Sequence, residues 1–341
     1  MSEKRFGCFG IFLAVVLCGS LLLNLVFIAT RSATAALSGA SLGGHLGDGP
    51  KFDESVLLPA KSRSDDKIAL LSLRGVITGA ESGVVGQTMV DDLRLQCKQA
   101  AEDPKVKAVV VEIDSPGGEV TASDILYNAV KNIRDVAHKP VVISMGSMAA
   151  SGGYYVACAG SWVIANETTF TGSIGVIMQT LNYQQLFGKV GLESVTFKSG
   201  KFKDMLSGSR AMSEEEREYV QKMVMDTYGK FVGIVARERQ LPEADLRAGV
   251  ADGRVVSGKD ALEAKLVNQL GLIEDAYAKA RELAEAPDAA VIRYESGFNL
   301  GKLFHLLGQS EKAQVSVQWP PQLGARLEPG RFYYLPSFYA Q

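Results

Sequence analysis

Ser147-Met148-Ala149-Ala150-Ser151-Gly152-Gly153 sets two hydroxyls among side chains so small that backbone must come close to something there. Val141-Val142-Ile143 before it suits a buried strand, and Tyr154 to Ala159 after it has the length and composition of a short packed helix. Ser151 then stands at the helix start, where free N–H groups favour the negative charge that a serine nucleophile and its oxyanion develop. Such a serine needs a base. His45, His138 and His305 lie beside no motif, whereas Lys198, Lys201 and Lys203 cluster in one basic turn. A buried lysine held neutral by desolvation is able to take the serine proton. Gly118, at the end of Asp114-Ser115-Pro116-Gly117-Gly118, can add a second amide donor beside Gly152. Ser173, in the turn Thr171-Gly172-Ser173, can orient a lysine amine. Taken singly, each has a plainer explanation: close packing, ordinary turns, a solvated basic surface. Together they are four constellations at the ends of strands, where an α/β sheet presents a site.

The elements that would position them alternate. Lys67 to Leu73 reads as a strand and Met89 to Ala101 as a helix. Val106 to Ile113 is a Val-rich run of the kind buried on both sheet faces. Val120 to Val136 reads as a helix, then come the strands Val141 to Ser144, Trp162 to Ala165 and Ser194 to Phe197. Strand and helix alternating at this spacing implies right-handed crossovers and a mostly parallel core. Ser213 with Glu216 makes a capping box for a long helix reaching about Gln240. Asp252 to Val256 is a short strand, Ser257 to Lys265 a helix, and Ile273 to Ala286 the last clear helix.

Composition narrows the function classes. A chain of 341 residues, 47% hydrophobic and 22% charged, can bury one sizeable core or two modest ones. A net charge of -2 gives no field to gather nucleic acid. Cys8, Cys18, Cys97 and Cys158 form no C-x-x-C pair, so buried thiols are expected rather than zinc or a disulfide framework. Residues 1–8 form a short N-terminus, and 9–30 are almost uninterruptedly apolar, as long as the ~20 residues a bilayer-spanning helix needs. Lys4 and Arg5 ahead of that run place the N-terminus in the cytoplasm and the remainder on the extracytoplasmic side of the cell membrane. A cleaved signal peptide is the competing explanation, but the apolar run exceeds the usual length of about 7 to 15 residues. Residues 31–66, rich in Gly, Ser and Ala, are expected to be a flexible stalk.

Met145 to Tyr154, followed by Thr171-Gly172-Ser173-Ile174-Gly175-Val176-Ile177-Met178 and Lys198-Ser199-Gly200-x-x-Lys203-Asp204, resembles the short bacterial form of the signal peptide peptidase family. Asp252-Gly253-Arg254-Val255 fits it too. The resemblance covers residues 67–286, the expected peptidase domain, and leaves 287–341 as an extension without a role. It implies an α/β fold, the Clp protease and crotonase fold of stacked ββα units, and a serine endopeptidase that uses a Ser-Lys dyad and an acyl-enzyme. Ser151 matches the nucleophile and Lys203 the general base. Gly118 and Gly152 match the oxyanion positions, and Ser173 the residue that positions the lysine. No metal or other cofactor is implied. The partners implied are peptide substrates, notably cleaved signal peptides, the membrane, and further copies of the chain in a dome-shaped oligomer whose neighbouring subunit can complete the dyad. Met148, Val176 and Ile177 are expected to line a substrate pocket. Lys201 is an extra lysine beside the expected base. Two alternatives share the fold. A crotonase-type acyl-CoA enzyme would need acidic catalytic residues at an adenine-nucleotide site, and an inactive oligomeric membrane scaffold would have no use for both Ser151 and a lysine.

Overall fold

The computed structural model describes residues 52–79, 88–295 and 333–334, and the expected N-terminus and membrane anchor lie outside them. In chain order, strands β1 (Asp53–Leu58) and β2 (Lys67–Arg74) precede helix α1 (Met89–Glu102), β3 (Val106–Ser115) and the two-residue β4 (Gly118–Glu119). Helix α2 (Val120–Asp135) leads to β5 (Val141–Ala150), the short α3 (Gly152–Ala157), β6 (Trp162–Ala165) and β7 (Phe170–Gly172). Then follow α4 (Gln184–Lys189), the long α5 (Glu214–Arg239), α6 (Glu243–Ala248), β8 (Val255–Ser257) and α7 (Gly258–Glu263). The last elements are β9 (Gln269–Leu270), α8 (Ile273–Leu283), β10 (Ala290–Glu295) and β11 (Tyr333–Tyr334).

Among the described residues, nine strands form one mixed sheet in the order β1-β10-β2-β3-β5-β6-β9, with β7 on β5 and β8 on β7. The pairings from β10 through β9 are parallel, as the alternation of strands and helices requires, while β1 on β10 and β8 on β7 run antiparallel. Both faces are covered, which is why the central strands read as continuous apolar runs. On one face Ala69, Leu71, Val109, Val111 and Ile143 pack with Leu93 and Cys97 of α1 and Leu126 and Val130 of α2. On the other, Ile68, Leu70, Val110 and Val142 meet Ala276 and Ala280 of α8. The period-two alternation along each strand divides its side chains between the two layers.

Local signals set the helix ends. The Thr88 hydroxyl accepts the Asp91 N–H at 3.0 Å at the start of α1. The capping box expected of Ser213 and Glu216 opens α5. Cys97 and Cys158 are buried free thiols whose pKa values burial pushes up to about 12, so neither is poised as a nucleophile.

The structure differs from the sequence reading in three places. Strand β1 lies inside the segment expected to be stalk, and β10, inserted between β1 and β2, lies inside the segment expected to be a separate extension. No strand forms at 194–197, where Val195 and Phe197 are 71% and 96% exposed with no neighbouring strand to pair.

Candidate active site

Strand β5 runs to Ala150 and α3 begins at Gly152, so Ser151 alone makes the corner between them. Its backbone has φ 53° and ψ −114°, a conformation that costs a serine roughly 1–3 kcal/mol. The surroundings hold it there. The Ser151 N–H donates to the Gly172 carbonyl at 2.8 Å, and its own carbonyl accepts the Tyr155 N–H at 2.8 Å. Met148 to Ala150 pair with β7, and the Thr171 hydroxyl donates to the Ala149 carbonyl at 2.7 Å. Tyr154 and Tyr155, both fully buried, anchor α3. Ser151 itself is 1% exposed, and its hydroxyl has no hydrogen-bond partner. A buried hydroxyl left without a partner is costly, which marks a group kept for something other than stability.

The glycines beside it allow backbone to converge. A Cβ on Gly152 would stand 3.1 Å from the Gly118 amide nitrogen and 2.5 Å from the Ser123 hydroxyl oxygen, so Gly152 and the Gly118 amide are close neighbours. Gly117, with φ 100°, turns the chain, and its N–H donates to the Ser115 hydroxyl at 3.1 Å. The Asp114 carboxylate accepts the Met148 N–H at 3.0 Å, which ties this turn to the far end of β5. Ser173, also at positive φ and buried, donates its N–H to the Arg254 carbonyl at 2.7 Å. The Arg254 guanidinium holds the Asp252 carboxyl down at about 2, so the Asp252-Gly253-Arg254 turn is braced where it supports Ser173. The structure thus brings Ser151, Gly118, Gly152 and Ser173 into one region on chain segments that meet at β5 and β7.

Lysine is treated differently. Lys198 donates to Asp204 at 2.7 Å and to the Lys201 carbonyl at 3.2 Å, and Lys201 pairs with Glu215. Among the described residues no hydrogen bond or ion pair holds the Lys203 amine, and Lys203 is exposed. Within one chain it does not bond to the Ser151 hydroxyl. The turn carrying it is nonetheless fixed from one side. Arg210 reaches Asp204 at 2.7 and 2.8 Å and Glu216 at 2.9 Å, joining that turn to the capped start of α5. Hydrogen bonds from Arg210 and then Lys198 hold the Asp204 carboxyl well below the usual carboxylate range, and Arg210 holds Glu216 down at about 2.

The expected pocket residues divide. Val176 packs against the core, Met148 is engaged through its backbone with Asp114, and Ile177 exchanges two hydrogen bonds of 3.1 Å with Tyr333. That last contact was missed by sequence reasoning. Tyr334 lies antiparallel to Gly118, and its ring stacks on Tyr155 at 5.0 Å between centroids. The aromatic stretch Phe332-Tyr333-Tyr334-Leu335 was the available signal, but nothing in the sequence says where a distant dipeptide docks.

Relatives share this framework. The model of peptidase family S49 matches residues 134–287, and that of Clp protease matches 64–170, consistent with the mixed α/β sheet. A protein of Enterococcus faecium named as a signal peptide peptidase is 37% identical over 236 residues, 68% of each chain. Protease 4 of Salmonella typhi is 35% identical over 69% of this chain, an alignment that spans 37% of its own length. Among solved structures, a ClpP1 mutant from Listeria monocytogenes is a distant likeness, with TM-score 0.41 and 15% identity over 61% of this chain and 93% of that one. The chain is a Clp protease-like α/β protein that belongs to peptidase family S49, and it is a serine peptidase.

Proposed function

We propose that Ser151 is the nucleophile and Lys203 the general base of a membrane-anchored endopeptidase acting on cleaved signal peptides and other apolar peptide segments. The observation that carries this reading is the Ser151 corner: a strained, buried serine with an unpartnered hydroxyl beside the amides of Gly152 and Gly118. A neutral Lys203 amine takes the Ser151 proton as the oxygen attacks the scissile carbonyl. The Gly152 and Gly118 N–H groups receive the oxyanion. Protonated Lys203 then delivers its proton to the leaving amine, and water releases the acyl-enzyme with the amine again as base. Ser173 orients the amine through its hydroxyl.

Lys203 acts, in this proposal, on Ser151 of a neighbouring copy. The support is that Lys198 and Lys201 are already engaged by acids while Lys203 is exposed and has no partner among the described residues. Leu181, Leu186, Val190, Leu192 and Val195, all well exposed on the same segment, suit contact with another copy. The apolar run over 9–30 anchors the chain, with the N-terminus in the cytoplasm and the peptidase domain on the extracytoplasmic side of the membrane.

The test is covalent labelling by a fluorophosphonate together with cleavage of a fluorogenic peptide. Wild type should label at one serine and cleave; Ser151→Ala should do neither. Labelling that persists in Ser151→Ala, or cleavage by it at the wild-type rate, would contradict the assignment.

A further inference from the structure

Peptides bind enzymes of open-edged sheets by adding an extended strand, and the edges available beside Ser151 are Gly118 of β4 and the backbone at Ile177. Both are already taken. Gly118 bridges Ile77 on one side and pairs with Tyr334 on the other, while Tyr333 exchanges hydrogen bonds of 3.1 Å each way with Ile177. The dipeptide is therefore a short strand inserted between the two edges. Its carbonyl lies at the proposed oxyanion site, since a Cβ on Gly117 would stand 2.1 Å from the Tyr334 oxygen and 2.5 Å from the Gly152 amide nitrogen. The Tyr334 ring is fully buried, stacked on Tyr155 at 5.0 Å and tilted against Phe231 at 4.7 Å.

We propose that Tyr333-Tyr334 is a built-in occupant of the substrate cleft, closing it until a peptide segment displaces the strap, and that the Tyr155-Phe231 pocket takes a large aromatic side chain without a hydroxyl. The second half rests on one atom. The Tyr334 hydroxyl is buried with no hydrogen-bond partner, so the pocket accommodates the ring and penalises the phenol. An occupant with such a fault yields to a better one. A peptide that presents Phe at the same place fills the same pocket without the penalty, which makes the strap a filter favouring apolar segments over polar ones. The inference builds on the reading of Ser151 as nucleophile, but it is testable by binding alone.

The experiment uses the full chain carrying Ser151→Ala, so that nothing is cleaved, and follows a fluorescent extended peptide with a central Phe by anisotropy. Adding Tyr334→Ala should tighten peptide binding by tenfold or more, because the strap loses its anchor. Adding Tyr334→Phe should weaken it by roughly tenfold, because the strap then holds without the buried hydroxyl. Equal affinity in all three chains, or tighter binding in Tyr334→Phe, overturns the proposal. Should Tyr334→Ala fail to fold, Tyr334→Phe decides alone. If Ser151→Ala still cleaves the peptide, the nucleophile assignment fails, while the order of affinities continues to report on the strap.

Discussion

Ser151 ends a central strand that is paired on both sides and roofed by a helix with two buried tyrosines, whereas Lys203 rides between α4 and α5 on a segment whose apolar residues face outward. One group is over-determined by backbone pairing. The other is steadied by a single charged hub, Arg210 between Asp204 and Glu216. A nucleophile must be held rigidly in strained geometry, so its place is the core of one chain. A base that has no partner in its own chain is suited to completing a site elsewhere. The difference teaches that the two halves of the proposed dyad are built at different levels, one by folding and the other by association.

That contrast can be broken from the serine side first. Ser151→Ala should cut peptide cleavage roughly a thousandfold or more with the fold intact, read as kcat on the purified chain. Gly152→Ala should lower kcat by about a hundredfold, because the new methyl would crowd the Ser123 hydroxyl and the Gly118 amide at 2.5 and 3.1 Å. Unchanged kcat in that variant would remove Gly152 from the oxyanion site. From the lysine side the effect should be smaller. Arg210→Gln frees the Lys203 turn from α5, and kcat/KM should fall roughly tenfold with the thermal midpoint little altered. A collapse of the midpoint instead would show that the hub supports the core.

The smallest effect sharpens what the hub does with pH. Glu216 titrates at about 2 in the folded chain, below its unfolded value, so its contribution is complete above the unfolded pKa of about 4.5 and is lost as pH falls through the folded one. The gap in thermal midpoint between wild type and Glu216→Gln should therefore be constant above about pH 5 and close toward about pH 2. A gap that persists at the acid end would mean that Glu216 acts through packing rather than charge.

The central sheet was legible because its strands are buried on both faces, and Val106 to Ile113 has no other use for so many branched residues. Strand β1 was not, because Asp53-Glu54-Ser55-Val56-Leu57-Leu58 is an edge strand with no fully buried residue and reads like the linker before it. Ser194 to Phe197 misled in the opposite direction. Its apolar residues have no strand to pair with in the single chain, and an outward-facing apolar run looks the same in sequence as a buried one. The Ser151 corner was legible because a run of Gly and Ala between a strand and a helix signals close approach of backbone. The strap was not, because pairing between Tyr334 and Gly118 depends on how the chain returns, and neither residue type records its partner.

The division of the site between folding and association has one direct test. Chains carrying Ser151→Ala and chains carrying Lys203→Ala, each inactive alone, are co-produced in equal amounts and assayed together on a fluorogenic peptide. If Lys203 serves Ser151 of another copy, activity should return to about a quarter of wild type, the statistical share of sites that join an intact serine to an intact lysine. Activity that stays at the level of either variant alone, in oligomers shown to contain both chains, would contradict the account.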